Sequence, residues 1–511
     1  MHFVSLTKMP VFADEAIYIR WAQLIMDDWQ RYAFFALNDG KTPLFIWSLI
    51  PFQYLFSDQL FAARCVSVLV GAVGLFIVKK IIAVLGGREK TQILAMVFAA
   101  VLPFWFFHAH LALMDGMLLT AISAIILGTL HLEKAGKKDR LFWRLFTGAS
   151  IGVSLWTKLP GLIILPALPF FAFVDRKKLM TKLPFFFSLA AAGLIGLVIF
   201  AALRVSPAFG QLFHRGSDFT YPVSEVFLRG KWKETIANTP SYFSYFLTYL
   251  TAPILIFTMA GLFLAQTRRK NAVLLLSACL FCFPLILFGK VVYARYFLPA
   301  SLFFTVAAAL SVQAIYDRWI AEQSKTDMTK RGVIGIIVAL LIANAIAGSL
   351  VFDSYVLLQP DQTPFVRSDR AQYLEDWSSG HGILQTVTYI QQQAQNHTIA
   401  VATEGRFGSL PDGLLLYFHN RDVKNIYIEG TGEYPVKDLP AFFVDKAKNF
   451  DQSILVVNSN RMEIKLPQDK LLHEYCRPNN APCLQIWDIT SLVKPPQQAS
   501  SLPSAPTVAH R

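Results

Sequence analysis

From about residue 60 to residue 352 the chain alternates long apolar runs with short polar breaks. The runs predict membrane-spanning helices over roughly 60–85, 91–107, 115–133, 145–157, 159–174, 183–203, 245–265, 271–288, 296–316 and 332–352. About twenty apolar residues cross a hydrocarbon core about 30 Å thick, and there the backbone must satisfy its own polar groups. After residue 353 the pattern changes. "GILQTVTYIQQQAQ" and "DGLLLYFHN" read as helices, while "TIAVATE", "KNIYIEG" and "SILVVNS" read as strands. Helix alternating with strand predicts a small α/β domain with a largely parallel sheet. The expected fold class is a polytopic α-helical membrane protein of about ten spans with a C-terminal α/β domain. Its expected parts are an acidic loop with amphipathic helices (1–59), the membrane domain (60–353), the α/β domain (354–495) and a Pro/Ser/Ala-rich disordered tail (496–511).

Composition agrees: 54% of the residues are hydrophobic and 16% charged, against about 25% charged in soluble domains. The net charge of +13 does not point to nucleic acid, because Lys and Arg fall in the breaks between apolar runs, as cytoplasmic loops require. The clusters are Lys79, Lys80, Arg88 and Lys90; Lys134, Lys137, Lys138 and Arg140; Arg176, Lys177 and Lys178; Arg268, Arg269 and Lys270; and Lys325, Lys330 and Arg331. With these inside, residues 1–59, 108–114, 204–244, 289–295 and all that follows 353 are extracytoplasmic. The same parity makes 145–157 and 159–174 two short spans that turn at "WTKLPGL" and carry Lys158 at the outer tip. Cys65, Cys279 and Cys282 fall in apolar runs and are expected to be buried and inert.

Ionisable residues gather on that outer face, where burial beside lipid is costly. Asp14 and Glu15 are adjacent in the first loop, and Lys41 follows in "DGKTPLF". "FHAHLALMDG" adds His108, His110 and Asp115, and "FGKVVYARYFLP" adds Lys290, Tyr293, Arg295 and Tyr296. Acids beside cations suit transfer of a group away from a phosphate. A carboxylate deprotonates the acceptor hydroxyl, and the cations stabilise charge growing on the leaving phosphate. Each position also has a plainer explanation. Asp14 and Glu15 could cap a helix, Asp115 could favour a helix dipole, and Lys158, Lys290 and Arg295 could anchor at the interface.

The ordered motifs "FADEAIYIRWAQ", "DGKTPLFIW", "FAARCVSVLVGAVGLF", "LALMDGMLL", "WTKLPGL" and "YARYFLPA" resemble one family over about residues 10–350. It is the polyprenyl-phosphate-sugar-dependent glycosyltransferases of the GT-C fold, which include protein O-mannosyltransferases, the aminoarabinose transferase of lipid A and the RgtA/B/C/D-like enzymes. The resemblance implies inverting transfer of a sugar from a polyprenyl-phosphate donor to a glycan, lipid or protein acceptor. It implies Asp14 as the base, with Glu15 and Asp115 orienting the acceptor or a divalent cation, the one cofactor left open. Lys41, Lys158, Lys290 and Arg295 are then candidates for the lipid phosphate. His108, His110 and Tyr293 are candidates for orienting the acceptor; relatives often carry Ser or Arg at the two histidines. The family has a first transmembrane helix before the acidic loop. "MHFVSLTKMP" cannot be that helix, so an upstream extension of about twenty apolar residues is expected. A transporter or lipid flippase, or a non-catalytic glycan-binding membrane protein, are the alternatives. The chain shows no internal repeat of the kind transporters carry.

In the C-terminal part, "CRPNNAPC" separates two strands, and outside the cytoplasm Cys476 and Cys483 are expected to pair. "VATEGRFGSLPDG" places glycines after a strand but matches no phosphate-binding pattern, and reads as a strand-to-helix turn.

Overall fold

The computed structural model describes residues 3–175, 182–321, 328–419 and 424–494. Arg176, Lys177, Lys178, Lys325 and the tail 496–511 lie outside the described residues. The chain forms two compact units: Met1–Met9 with Tyr18–Gln372, and Pro10–Ile17 with Tyr373–Arg511.

In the first unit six described helices are long and apolar enough to cross a membrane: Gln59–Val84, Met114–Lys134, Leu183–Val205, Arg268–Phe288, Ala294–Trp319 and Thr329–Leu358. Two bent pairs raise the number to eight if each is one span: Glu89–Val101 with Pro103–Ala109 (58°) and Trp232–Leu250 with Ala252–Phe263 (100°). Pro103 directly follows the first break, where Leu102 is pushed into extended backbone. The second falls at Thr251, whose φ is +65°, and Pro253, lacking an N–H, sits in the first turn of the next helix. The expected hairpin at 145–174 consists of the helix Arg140–Thr157 and a 3-10 helix, Leu159–Phe173, parted by Lys158 in extended backbone. Pro166 and Pro169, three apart, suit a helix of three residues per turn. At about 2.0 Å per residue, such a segment of 15 residues reaches about 30 Å, the thickness of the hydrocarbon core.

Small residues line the crossing of the helix Arg140–Thr157 on Leu183–Ala201. A Cβ on Gly152 would lie 2.5 Å from Ile199, one on Gly148 2.7 Å from Ile195, and one on Gly196 2.4 Å from Ile151. Interdigitation of glycine with isoleucine lets backbones approach, which drives helix association in lipid. Breaks that charge parity assigns to one side also touch one another. Lys134 donates to the Val84 carbonyl, Lys270 to the Leu85 carbonyl (2.6 Å), and Arg88 pairs with Asp317 (2.8 Å). Among the assigned outer loops, Arg215 pairs with Asp39 (2.8 Å) and Thr220 bridges to Gly289. Cys65 and Cys282 are buried, but Cys279 is exposed on its helix, because the apolar run is long enough to face lipid as well as core.

The second unit holds a five-stranded sheet in the order β2-β1-β3-β5-β4. Its strands are β1 (Ile399–Thr403), β2 (Ile426–Gly430), β3 (Gln452–Asn458), β4 (Leu471–Arg477) and β5 (Ala481–Asp488). β1 pairs in parallel with β2 and β3, whereas β5 runs antiparallel to both β3 and β4. The sheet is therefore less parallel than the pattern suggests. The connection "PNN" is far too short for a crossover and can only turn a hairpin. A disulfide joins Cys476 to Cys483 across that hairpin. One face of the sheet buries Ala400, Ala402, Leu455, Val457 and Trp487 against Phe443 and Ala447 of the helix Ala441–Ala447.

This unit also claims a piece of the N-terminus. Phe12 bridges to Ser379, the Ala13 N–H donates to the Ser378 carbonyl (2.9 Å), and the Gly380 N–H donates to the Val11 carbonyl (2.8 Å). A Cβ on Gly380 would come 2.3 Å from that Val11 oxygen, so only glycine fits.

Candidate active site

Three elements of the first unit bring ionisable side chains together. The helix Met114–Lys134 opens with Asp115, where its N-terminal dipole favours a carboxylate. The extended residue Lys158 reaches back to it, Nζ to Oδ1 at 2.7 Å. Asp115 is 6% exposed and Lys158 24%, so the acid is shielded while the ammonium keeps an open side. The 3-10 turn Ala294–Ala300 supplies Arg295, which is buried, and Tyr296. The Tyr296 ring lies 4.8 Å from Lys158 Nζ and 5.6 Å from Arg295 Cζ, and Tyr293 lies 5.5 Å from the same guanidinium. Aromatic faces hold both cations without neutralising them. His108 is buried in electrostatic range of Asp115, Arg295 and Lys158. Its Nδ1 lies 2.7 Å from the Phe104 carbonyl, and Nδ1 of His110 lies 2.7 Å from the Phe106 carbonyl. A carbonyl only accepts, so each Nδ1 carries the proton.

Other candidates fall elsewhere in this unit. Lys41 pairs with Asp39 (3.3 Å) and lies over the rings of Tyr18 (5.2 Å) and Trp21 (5.5 Å). Lys290 donates to the Ser217 carbonyl (2.6 Å) and faces Tyr221, in a cavity also lined by Lys231, Glu234, Tyr242 and Tyr245. The structure does not join Lys290 to Lys158, because the Thr220–Gly289 bridge turns it toward the 216–221 segment.

Asp14 and Glu15 occupy the first turn of the helix Ala13–Asp27, in the segment held by the second unit. Glu15 is fully buried, and its Oε2 accepts the Phe12 N–H at 2.9 Å. It thus plays the N3 part of a capping box. Asp14, half-buried, is the more accessible of the two.

Sequence reasoning passed over two groups. Arg64, fully buried in "FAARCVS", donates to the carbonyls of Leu6 (2.5 Å) and Met9 (2.9 Å) and ties down the N-terminal segment. Tyr249 donates to the buried Asp369 at 2.7 Å, and Arg295 acts on that carboxylate. An arginine inside an apolar run was a readable signal for the first. The second had none, because Asp369 sits in an ordinary polar stretch.

Residues 40–203 match the family described as dolichyl-phosphate-mannose-protein mannosyltransferase. The structure is similar to ArnT from Cupriavidus metallidurans bound to undecaprenyl phosphate, with TM-score 0.58 at 16% identity over 97% of each chain. Apo ArnT from the same organism gives TM-score 0.57 at 14% identity, again over 97% of each chain. The chain has the GT-C glycosyltransferase fold. Among curated protein sequences none matches it.

Of the three carboxylates expected to hold a divalent cation, Asp115 belongs to the first unit and Asp14 and Glu15 to the second. Asp115 already faces an ammonium, and Glu15 is committed to a backbone N–H. Among the described residues Glu474, Cys476 and Cys483 are the one trio of ligand-type side chains close together, and the disulfide uses two of them.

Proposed function

We propose that this protein is a membrane glycosyltransferase that moves one sugar from a polyprenyl-phosphate donor to an acceptor hydroxyl at the extracytoplasmic face of the plasma membrane, with inversion. The observation that carries the reading is that Lys158 and Arg295 both lie against the Tyr296 ring, with Asp115 paired to Lys158. Two cations gathered against one ring suit a phosphate. Lys158 has three N–H donors, of which Asp115 takes one, and Arg295 offers a planar fork. The likeness to ArnT with undecaprenyl phosphate supports the same class of donor.

In the proposed reaction Asp14 takes the acceptor hydroxyl proton as the oxygen attacks the anomeric carbon. The bond from that carbon to the phosphate oxygen breaks, and its electron pair stays on the phosphate. Lys158 and Arg295 stabilise the added charge in a site of low dielectric. The phosphate leaves as an anion, so no acid is needed. The test supplies purified protein with radiolabelled polyprenyl-phosphate sugar and membrane acceptors. Asp14→Asn should lower transfer at least a hundredfold with donor binding retained. Unchanged transfer would remove Asp14 as the base, and no transfer by wild type to any acceptor would sink the enzyme reading.

A further inference from the structure

The second unit carries a cluster that the transfer reaction does not use. Strand order reverses at β1, with β2 on one flank and β3 on the other. Open α/β sheets leave a ligand crevice beyond the carboxyl ends of the strands at such a reversal. Here three loops meet there. The Thr431 N–H donates to the Thr403 carbonyl (2.7 Å), the Gly432 N–H to the Gly405 carbonyl (2.9 Å), and the Val436 N–H to the Arg461 carbonyl (2.8 Å).

The floor of the crevice is built from buried polar groups. Glu404, 2% exposed, accepts from the Asn458 N–H (2.9 Å), Asn458 Nδ2 (2.8 Å) and Arg461 Nη1 (3.4 Å). Arg477, also buried, donates to Asn458 Oδ1 at 2.7 Å. The Arg461 guanidinium lies between two rings, 4.1 Å from Trp377 and 4.7 Å from Tyr434. Thr431 is buried, and its hydroxyl makes no hydrogen bond among the described residues.

The rim has a different character. Tyr434 is 67% exposed although Arg461 covers one side of it, and Phe407 is 55% exposed. Arg406, exposed, runs beside Gly432, where a Cβ would come 3.0 Å from its Nε. Gly432 has φ +84°, so a side chain there would be strained as well as crowded. Glu404 offsets the charge of Arg461, whereas Arg406 enters no ion pair among the described residues. Exposed rings with one open face bind the apolar faces of pyranose rings, and an unmatched guanidinium beside them selects a carboxylate or phosphate.

We propose that the carboxyl-end crevice of β1, β2 and β3 binds an acidic saccharide, with Tyr434 and Phe407 as stacking surfaces and Arg406 as the anion contact. The test uses the full chain in a detergent without a sugar head group and measures binding of trigalacturonate by isothermal titration calorimetry. Binding should weaken at least tenfold in Arg406→Ala and in Tyr434→Ala, while circular dichroism and thermal midpoint stay as in wild type. Asp14→Asn should bind as wild type does, so the result stands apart from the fate of the transferase reading. Absence of binding, binding unaltered in both variants, or equal binding of maltotriose or inorganic phosphate would overturn the proposal.

Discussion

Tyr249 donates its hydroxyl hydrogen to Asp369 across 2.7 Å, and both side chains are fully buried. Phe104 and Phe352 pack against the Tyr249 ring at centroid distances of 5.1 and 5.7 Å, so the carboxylate sits behind an aromatic wall. Burial pushes the Asp369 carboxyl up to about 6, although the Tyr249 hydroxyl and the Arg295 guanidinium pull it down. The folded value lies above the unfolded one of about 3.9. Its contribution to stability is therefore complete below about pH 4 and is lost as pH rises through about 6. The wild-type thermal midpoint in detergent should fall over this window relative to Asp369→Asn, which keeps an acceptor for Tyr249. The full difference is up to about 3 kcal/mol; parallel profiles would show that Asp369 does not titrate there.

The pair of Lys158 and Asp115 can be dissected by its charges. Lys158→Met leaves Asp115 shielded from water without its ammonium, which should cost about 3 kcal/mol of stability. Adding Asp115→Asn removes the stranded charge, so the thermal midpoint should recover. Transfer should stay at least tenfold down in the double variant, because the phosphate has lost a cation. Recovery of both together would make the pair purely structural.

Packing of the helix Arg140–Thr157 on Leu183–Ala201 rests on glycines. In Gly196→Ala the new methyl meets Ile151, and overpacking of this kind costs about 1–3 kcal/mol. Combining it with Ile151→Ala should restore part of the loss. Thermal denaturation of the two variants in the same detergent checks this, and additive losses would refute it.

Gly380→Ala should release the strand contact that seats Asp14. Hydrogen exchange in a peptide covering residues 10–17 should speed up, and transfer should fall at least tenfold. Exchange elsewhere in the sheet should stay slow. A variant that exchanges as wild type does would show that the contact yields without opening.

Hydropathy shows most of the membrane unit because the lipid demand on the backbone is strong and local. It does not show the bend before Pro103, since the run stays apolar across it, nor that the Trp232–Leu250 helix begins in the polar "WKETIAN". Asp115 and Lys158 were legible because ionisable groups are rare at the edges of apolar runs. Glu15 as a helix cap was legible too, because its partner Phe12 lies three residues away. The burial of Asp369 arises from neighbours distant in sequence. The same holds for the pairing of Phe12 with Ser379. No local pattern marks a partner hundreds of positions away.

That last pairing governs how the molecule can be cut. Separating a catalytic membrane portion from a disposable appendage at the end of the last span would strip residues 10–17 of their strand partner. A chimera that borrows the α/β domain from a relative would have to import the matching N-terminal octet with it. The inheritable module is a discontinuous one, made from both ends of the chain.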